Sequence, residues 1–155
     1  MISQLRPLAL LAALLAALLA AAPLHASEDY IANAAEFIKA ADWKTMESLT
    51  LDMEEFRFIP GEIRLKEGLP YKLELRNNGE KDHTFTAPEF FRAIATRKVQ
   101  NKDGEVKAPY LHALLVRNGG RLELFFIPAK KGSFPFYCTF EDFRQKGMEG
   151  KITVE

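Results

Sequence analysis

From Phe56 onward, apolar side chains recur at every second position in short runs, and no other feature constrains the fold as tightly. Phe56 and Phe58 alternate with Glu55 and Arg57, Ile63 and Leu65 with Glu62, Arg64 and Lys66, and Tyr71, Leu73 and Leu75 with Lys72, Glu74 and Arg76. Leu122, Leu124 and Phe126 form a later set, followed by Phe134, Phe136 and Cys138 and by Ile152 and Val154. Successive side chains of a strand point to opposite faces, so each run offers one face to a core and one to water, as antiparallel strands do. Pro60-Gly61, Gly68 with Pro70, Asn77-Asn78-Gly79, Asn118-Gly119-Gly120 and Lys131-Gly132 separate the runs and supply chain reversals. Short strands at this rhythm predict an all-β fold, a sandwich with Greek-key links.

Two stretches break the rhythm. Between Glu28 and Met46, Ile31, Ala34, Ala35, Ile38 and Ala41 follow helical spacing, with Ser27 placed to cap and Tyr30 to open the apolar face. The expectation is an N-terminal helical arm over 27–48 and a β-domain over 49–155. The second stretch runs from Pro88 to Lys107. Phe90, Phe91, Ile94 and Ala95 suggest a short helical turn, and the polar tip Gln100-Asn101-Lys102-Asp103-Gly104 a loop inserted between strands.

The first 26 residues read as a secretory signal peptide. Arg6 precedes an unbroken Leu/Ala run from Leu8 to Ala22, and Ala26 offers a small residue for cleavage. A cut after Ala22 would set Pro23 beside the scissile bond, so cleavage after Ala26 is expected. The run of 15 residues is shorter than the about 20 that a membrane-spanning helix needs. The chain is therefore expected in the periplasm, with no membrane span after cleavage. Losing Arg6 leaves 20 basic residues against 21 acidic ones, which excludes the basic excess of a nucleic-acid binder.

Cys138 is the only cysteine. Exported proteins usually pair their cysteines, so a lone one is buried and inert, joined to another chain, or used chemically. It ends the aromatic run Phe134-Pro135-Phe136-Tyr137, and Met148 follows ten residues later in Gly147-Met148-Glu149-Gly150. His83 stands just after the Asn-Asn-Gly turn, in Asp82-His83-Thr84-Phe85. A strand end, a short loop and a returning strand can hold a cysteine and a methionine close, and a histidine from a neighbouring loop can complete three ligands. Thiolate, thioether and imidazole together suit copper, because sulfur stabilises Cu(I) and nitrogen tolerates Cu(II).

At these residues the sequence resembles the cupredoxins, the plastocyanin- and azurin-like copper proteins. The resemblance is carried by Phe58-Ile59-Pro60 with Ile63-Arg64-Leu65, by Asp82-His83-Thr84-Phe85, and by Phe134 to Cys138 continuing through Gly147 to Val154. It implies a copper site with a histidine from the earlier loop and a cysteine, a second histidine and a methionine from the later one. Here Phe143 stands where the second histidine is expected, and a phenyl ring binds no metal. Three outcomes follow: a site of His83, Cys138 and Met148 that favours Cu(I); one in which Glu141 or Asp142 adds an oxygen and favours Cu(II) or Zn(II); or a fold without metal, with Phe143 packed over the corner. His112, in Tyr110-Leu111-His112-Ala113, reads as a strand or surface residue.

The function expected is that of a periplasmic copper-binding protein, for copper handling or for electron transfer through an altered site. Its partners would be the metal ion and a periplasmic redox or copper-transfer protein. The alternative is a metal-free interaction module that docks another exported protein through the helical arm and the Pro88–Lys107 insertion. The sequence carries no recognisable nucleophile–base pair, catalytic carboxylate pair or phosphate-binding glycine loop, so no enzyme is expected.

Overall fold

The computed structural model describes residues 30–155, and in it the alternating runs form two sheets. Strands β1 (Glu47–Glu54), β2 (Arg57–Ile59), β4 (Tyr71–Asn77), β6 (Ile94–Asn101), β7 (Gly104–Val106) and β9 (Arg121–Pro128) make one sheet, in the order β2-β1-β4-β9-β6-β7. Strands β3 (Glu62–Leu65), β5 (His83–Thr86), β8 (Ala113–Val116), β10 (Gly132–Tyr137) and β11 (Glu149–Val154) make the other, in the order β3-β11-β10-β5-β8. Only β1–β2, β6–β7 and β10–β11 pair as neighbours in sequence, while the remaining links cross between sheets. β1 runs parallel to β4 and β3 to β11, and the other pairings are antiparallel.

The inward faces are those the alternation marks. Leu51, Met53, Leu73, Leu75, Leu124 and Phe126 meet Ile63, Leu65, Phe85, Phe136, Ile152 and Val154, all buried. Each such side chain contributes about 1.5–3 kcal/mol relative to exposure. Aromatic edges meet faces across the core, at 5.0 Å for Phe58–Phe136 and 5.4 Å for Phe90–Phe126. The packing leaves no room at Gly150 on β11, where a Cβ would lie 2.5 Å from the Gly61 carbonyl oxygen and 2.3 Å from the Phe136 ring. Gly150→Ala is expected to cost about 1–3 kcal/mol through overpacking, read as a thermal midpoint several degrees below the parent's.

Four local expectations change. The stretch after Arg92 is no loop: following the short helix α2 (Pro88–Arg92), β6 and β7 form a hairpin on the edge of the six-stranded sheet. A register shift between Thr96 and Lys98 interrupts the period of two, which is why this strand does not read as one. The N-terminal helix α1 is shorter than its apolar spacing suggests, covering Ala34–Ala40 with no fully buried residue. Asp42 ends it by capping a 3-10 turn at Trp43–Thr45 through the Lys44 N–H, at 3.0 Å. Trp43 then donates to the Ile38 carbonyl and lies under the Arg97 guanidinium of β6, 4.4 Å from the ring centroid. Strand β1 starts at Glu47, with Leu49, Leu51 and Met53 on one face. Phe56 does not share a strand face with Phe58, because it occupies the β1–β2 turn with a left-handed φ of 68°. The Ser27 cap and the signal segment lie outside the described residues.

Candidate metal centre

One end of the sandwich gathers the β1–β2 turn (Glu55 and Phe56), the β4–β5 turn (residues 78–82) and the β10–β11 loop (residues 138–148). Buried Asn77 shapes the second of these. Its amide donates to the carbonyls of Lys81 (2.7 Å) and Val116 (2.9 Å), and its Oδ1 accepts from the Gly79 N–H. Asp82 ties the same turn to the β8–β9 connection, accepting from the Asn118 N–H and from Arg117. His83 therefore enters β5 from a fixed point, fully buried.

The β10–β11 loop folds back on itself. The Cys138 N–H donates to the Met148 carbonyl, and the Met148 N–H to the Phe143 carbonyl, each at 3.0 Å. Left-handed residues at Glu141 (φ 48°) and Gly147 (φ 99°) turn the chain within it. Cys138 and Met148 are both fully buried. Across the sheet, Cys138 Sγ lies 3.9 Å from His83 Nδ1. The sulfur accepts from the Thr84 N–H at 3.4 Å, and Thr84 Oγ1 stands 3.7 Å away. Thr84 Oγ1 is in turn fixed by the Thr139 N–H at 2.7 Å. Hydrogen bonds of this kind hold a thiolate in place and tune the metal it binds.

Phe143 closes the corner. It is buried, with its ring 5.3 Å from the His83 ring, 5.2 Å from Phe56 and 5.7 Å from Phe140. Where the resemblance implies a second histidine, an aromatic cluster stands instead. Glu141 stands at the rim, half-exposed, its carboxylate 3.9 Å from Lys81 Nζ. His112 is exposed and next to Ala113, the β8 residue paired with Thr86, whereas His83 pairs with Val116 at the opposite end of that strand. The fold thus brings His83, Cys138 and Met148 to one buried end and leaves Glu141 and His112 outside it.

One participant escapes sequence reasoning. Glu55 Oε1 lies 3.5 Å from His83 Nε2 and also accepts from the N–H groups of Glu80 (2.7 Å) and Lys81 (3.0 Å). It lies in a turn, 28 positions from His83, and nothing in its local pattern separates it from other surface acids. Partial desolvation pulls its carboxyl upward, but the backbone N–H groups of Lys81 and Glu80 and the nearby His83 outweigh this and hold it below the usual range. Burial pushes the His83 imidazolium the same way, and Glu55 and Asp82 offset this only in part, so the ring is held below its ordinary 6.5.

The sign of the resulting pH dependence follows. Between the folded value of His83 and 6.5, the unfolded chain binds the extra proton, so stability rises with pH there and is lost as pH falls below 6.5. Glu55 and Glu74, both held below 4.5, add a second loss at lower pH. Urea midpoints of metal-free protein are expected to be flat above about pH 7 and to fall in two stages below it. A midpoint unchanged between about pH 7 and 5 contradicts a buried neutral His83.

The donor set fits a soft, low-coordinate metal. His83 Nδ1 and Cys138 Sγ, 3.9 Å apart, would be the nitrogen and sulfur donors to such a metal. Met148, also buried, is tied to Cys138 through the bond from the Cys138 N–H to its carbonyl. Among the described residues no group of three or more His, Cys, Asp and Glu side chains is placed to hold a metal ion.

Comparison with known proteins agrees with this architecture. The sequence matches the cupredoxin-like domain family over residues 9–154. The chain belongs to that family. Among solved structures, this cupredoxin-like domain is similar to reduced auracyanin from the photosynthetic bacterium Roseiflexus castenholzii, with a TM-score of 0.51 and 16% identity over 70% of this chain and 96% of that one. It is also similar to copper nitrite reductase from Nitrosomonas europaea, with a TM-score of 0.56 and 13% identity over 70% of this chain and 48% of that one. For the Cu-containing nitrite reductase of Thermus scotoductus the values are 0.55 and 12%, over 70% and 30%. The chain thus spans less than half the length of either reductase, and at these identities the likeness is one of fold. No curated protein matches the sequence.

Proposed function

We propose that this cupredoxin-like domain is an exported copper-binding protein, not an enzyme, and that it holds copper as Cu(I) for storage or delivery rather than relaying electrons. The observation that carries the reading is the buried His83 Nδ1–Cys138 Sγ approach of 3.9 Å, beside a buried Met148. Bound copper would supply a soft, exchangeable cuprous ion or a one-electron couple. The chain's own residues supply the selectivity. Thr84 holds the sulfur in place, and Phe143 packs its ring against that of His83. Three donors of which two are sulfur favour Cu(I), which accepts low coordination, over Cu(II), which seeks further nitrogen or oxygen ligands. Phe143 also occupies the corner through which a histidine edge would reach the surface, and this weighs toward holding and delivery. Its partner would then be a periplasmic copper-transfer protein, and the Leu8–Ala22 segment supports export.

The test is to add Cu(I), and separately Cu(II), to purified mature protein, desalt it, and record the visible spectrum and metal content. A colourless protein carrying one equivalent of copper after Cu(I) treatment supports the reading. An intense thiolate-to-copper band after Cu(II) treatment would assign a cupric centre instead. A protein that retains no copper from either would overturn the reading in favour of a metal-free interaction module.

A further inference from the structure

His83 Nδ1 faces Cys138 Sγ at 3.9 Å, whereas Nε2, on the far side of the ring, is buried and makes no hydrogen bond among the described residues. Facing it at 3.5 Å is Glu55 Oε1. Three features show that this approach is built. Glu55 belongs to a different turn, yet its Oε1 is anchored by two backbone N–H groups of the β4–β5 turn, those of Glu80 and Lys81. The approach passes over Gly79, where a Cβ would stand 2.6 Å from both Glu55 Oε1 and His83 Nε2. And Gly79 is itself held by the Asn77 side chain at 3.0 Å. Any side chain at position 79 would separate the carboxylate from the ring.

We propose that Glu55 is a positioning residue that fixes the tautomer of His83, keeping the ring proton on Nε2 so that the Nδ1 lone pair faces Cys138. A neutral imidazole carries its single proton on one nitrogen. An ionised carboxylate can only accept, so with the proton on Nδ1 an unprotonated Nε2 would face an anion with nothing between them. With the proton on Nε2, the N–H faces the Glu55 carboxylate at 3.5 Å, and Nδ1 is left to accept from the Cys138 thiol or to bind a metal. A carboxylate behind a ligating histidine also raises the basicity of the metal-binding nitrogen and locks the ring plane, and losing such a partner costs about 10–100-fold in metal affinity. This last consequence rests on the copper reading, whereas the tautomer assignment does not.

The experiment uses the whole mature protein, labelled with nitrogen-15, in its metal-free form at neutral pH. Long-range proton–nitrogen correlation of the His83 ring distinguishes the two tautomers, and a competing cuprous chelator measures Cu(I) affinity. The parent is expected to show His83 as a single Nε2–H species. Glu55→Ala should give a mixture or the Nδ1–H species and weaken Cu(I) binding about 10–100-fold. Glu55→Gln keeps an oxygen that can accept from both the backbone and the ring, and should restore the Nε2–H form. A His83 ring that stays wholly Nε2–H in a folded Glu55→Ala protein overturns the proposal. If the parent binds no copper but Glu55→Ala still scrambles the tautomer, the copper reading fails and the positioning role stands.

Discussion

Cys138→Ala is expected to abolish retention of Cu(I) while leaving the sandwich folded. The thiolate is the strongest soft donor at this end of the molecule, and without it an imidazole and a thioether remain, too few to hold copper against a chelator. The loss should exceed the about 10–100-fold that follows when only a supporting group is removed. The structural cost is small by comparison. Cys138 is a small buried side chain whose sulfur accepts from the Thr84 N–H at 3.4 Å, and removing it takes that acceptor away and leaves a gap the size of one sulfur atom. A cost of about 1–2 kcal/mol is expected from these two terms. Metal content after desalting, read beside a thermal melt, separates the two effects. Copper retained at the parent's level would mean the ligands lie elsewhere.

Phe143→His is expected to have the opposite effect, creating a cupric centre that the parent is not expected to form. The Phe143 ring lies 5.3 Å from the His83 ring within the loop that joins Cys138 to Met148, and its backbone bonds to Met148 on one side and Phe140 on the other. An imidazole there adds a second nitrogen to a thiolate and a first imidazole. Two histidines and one cysteine, with a weak methionine, form the donor set that supports Cu(II) bound to sulfur. The variant should therefore turn intensely coloured with Cu(II), which the parent should not. Its metal-free form carries a polar ring in an apolar cluster at a cost of about 1–3 kcal/mol. That deficit should shrink when copper is added, because a ligand that binds only the folded state stabilises it. A colourless Cu(II)-treated variant would mean that position 143 does not face the donors.

What the sequence conveys follows from what the physics writes locally. A strand with one wet face records itself in alternation, so β3, β4, β10 and β11 are legible as they stand, and β9 is legible from Leu122, Leu124 and Phe126 although its second half is buried on both faces. Leu49, Leu51 and Met53 carry the same signal for β1, overshadowed by the helical spacing just before it. β6 is not legible, because the shift between Thr96 and Lys98 puts consecutive residues out of step with the period. Phe56 misleads for a related reason: its spacing from Phe58 is that of a strand, but its left-handed backbone puts it in a turn, where its ring covers Phe143. At the site, residue type and loop spacing single out His83, Cys138 and Met148. Glu55 is invisible, since its approach to His83 depends on two turns meeting over Gly79, a contact that only the folded chain defines.

X-ray absorption at the copper edge of the Cu(I)-loaded mature protein puts the whole account to its hardest test. The spectrum should show a three-coordinate cuprous ion with two sulfur neighbours and one imidazole nitrogen, and one sulfur should vanish in Met148→Leu. A first coordination shell made of oxygen and nitrogen alone, or a spectrum that Cys138→Ala leaves unchanged, would place the copper away from the buried end of the sandwich and contradict the assignment.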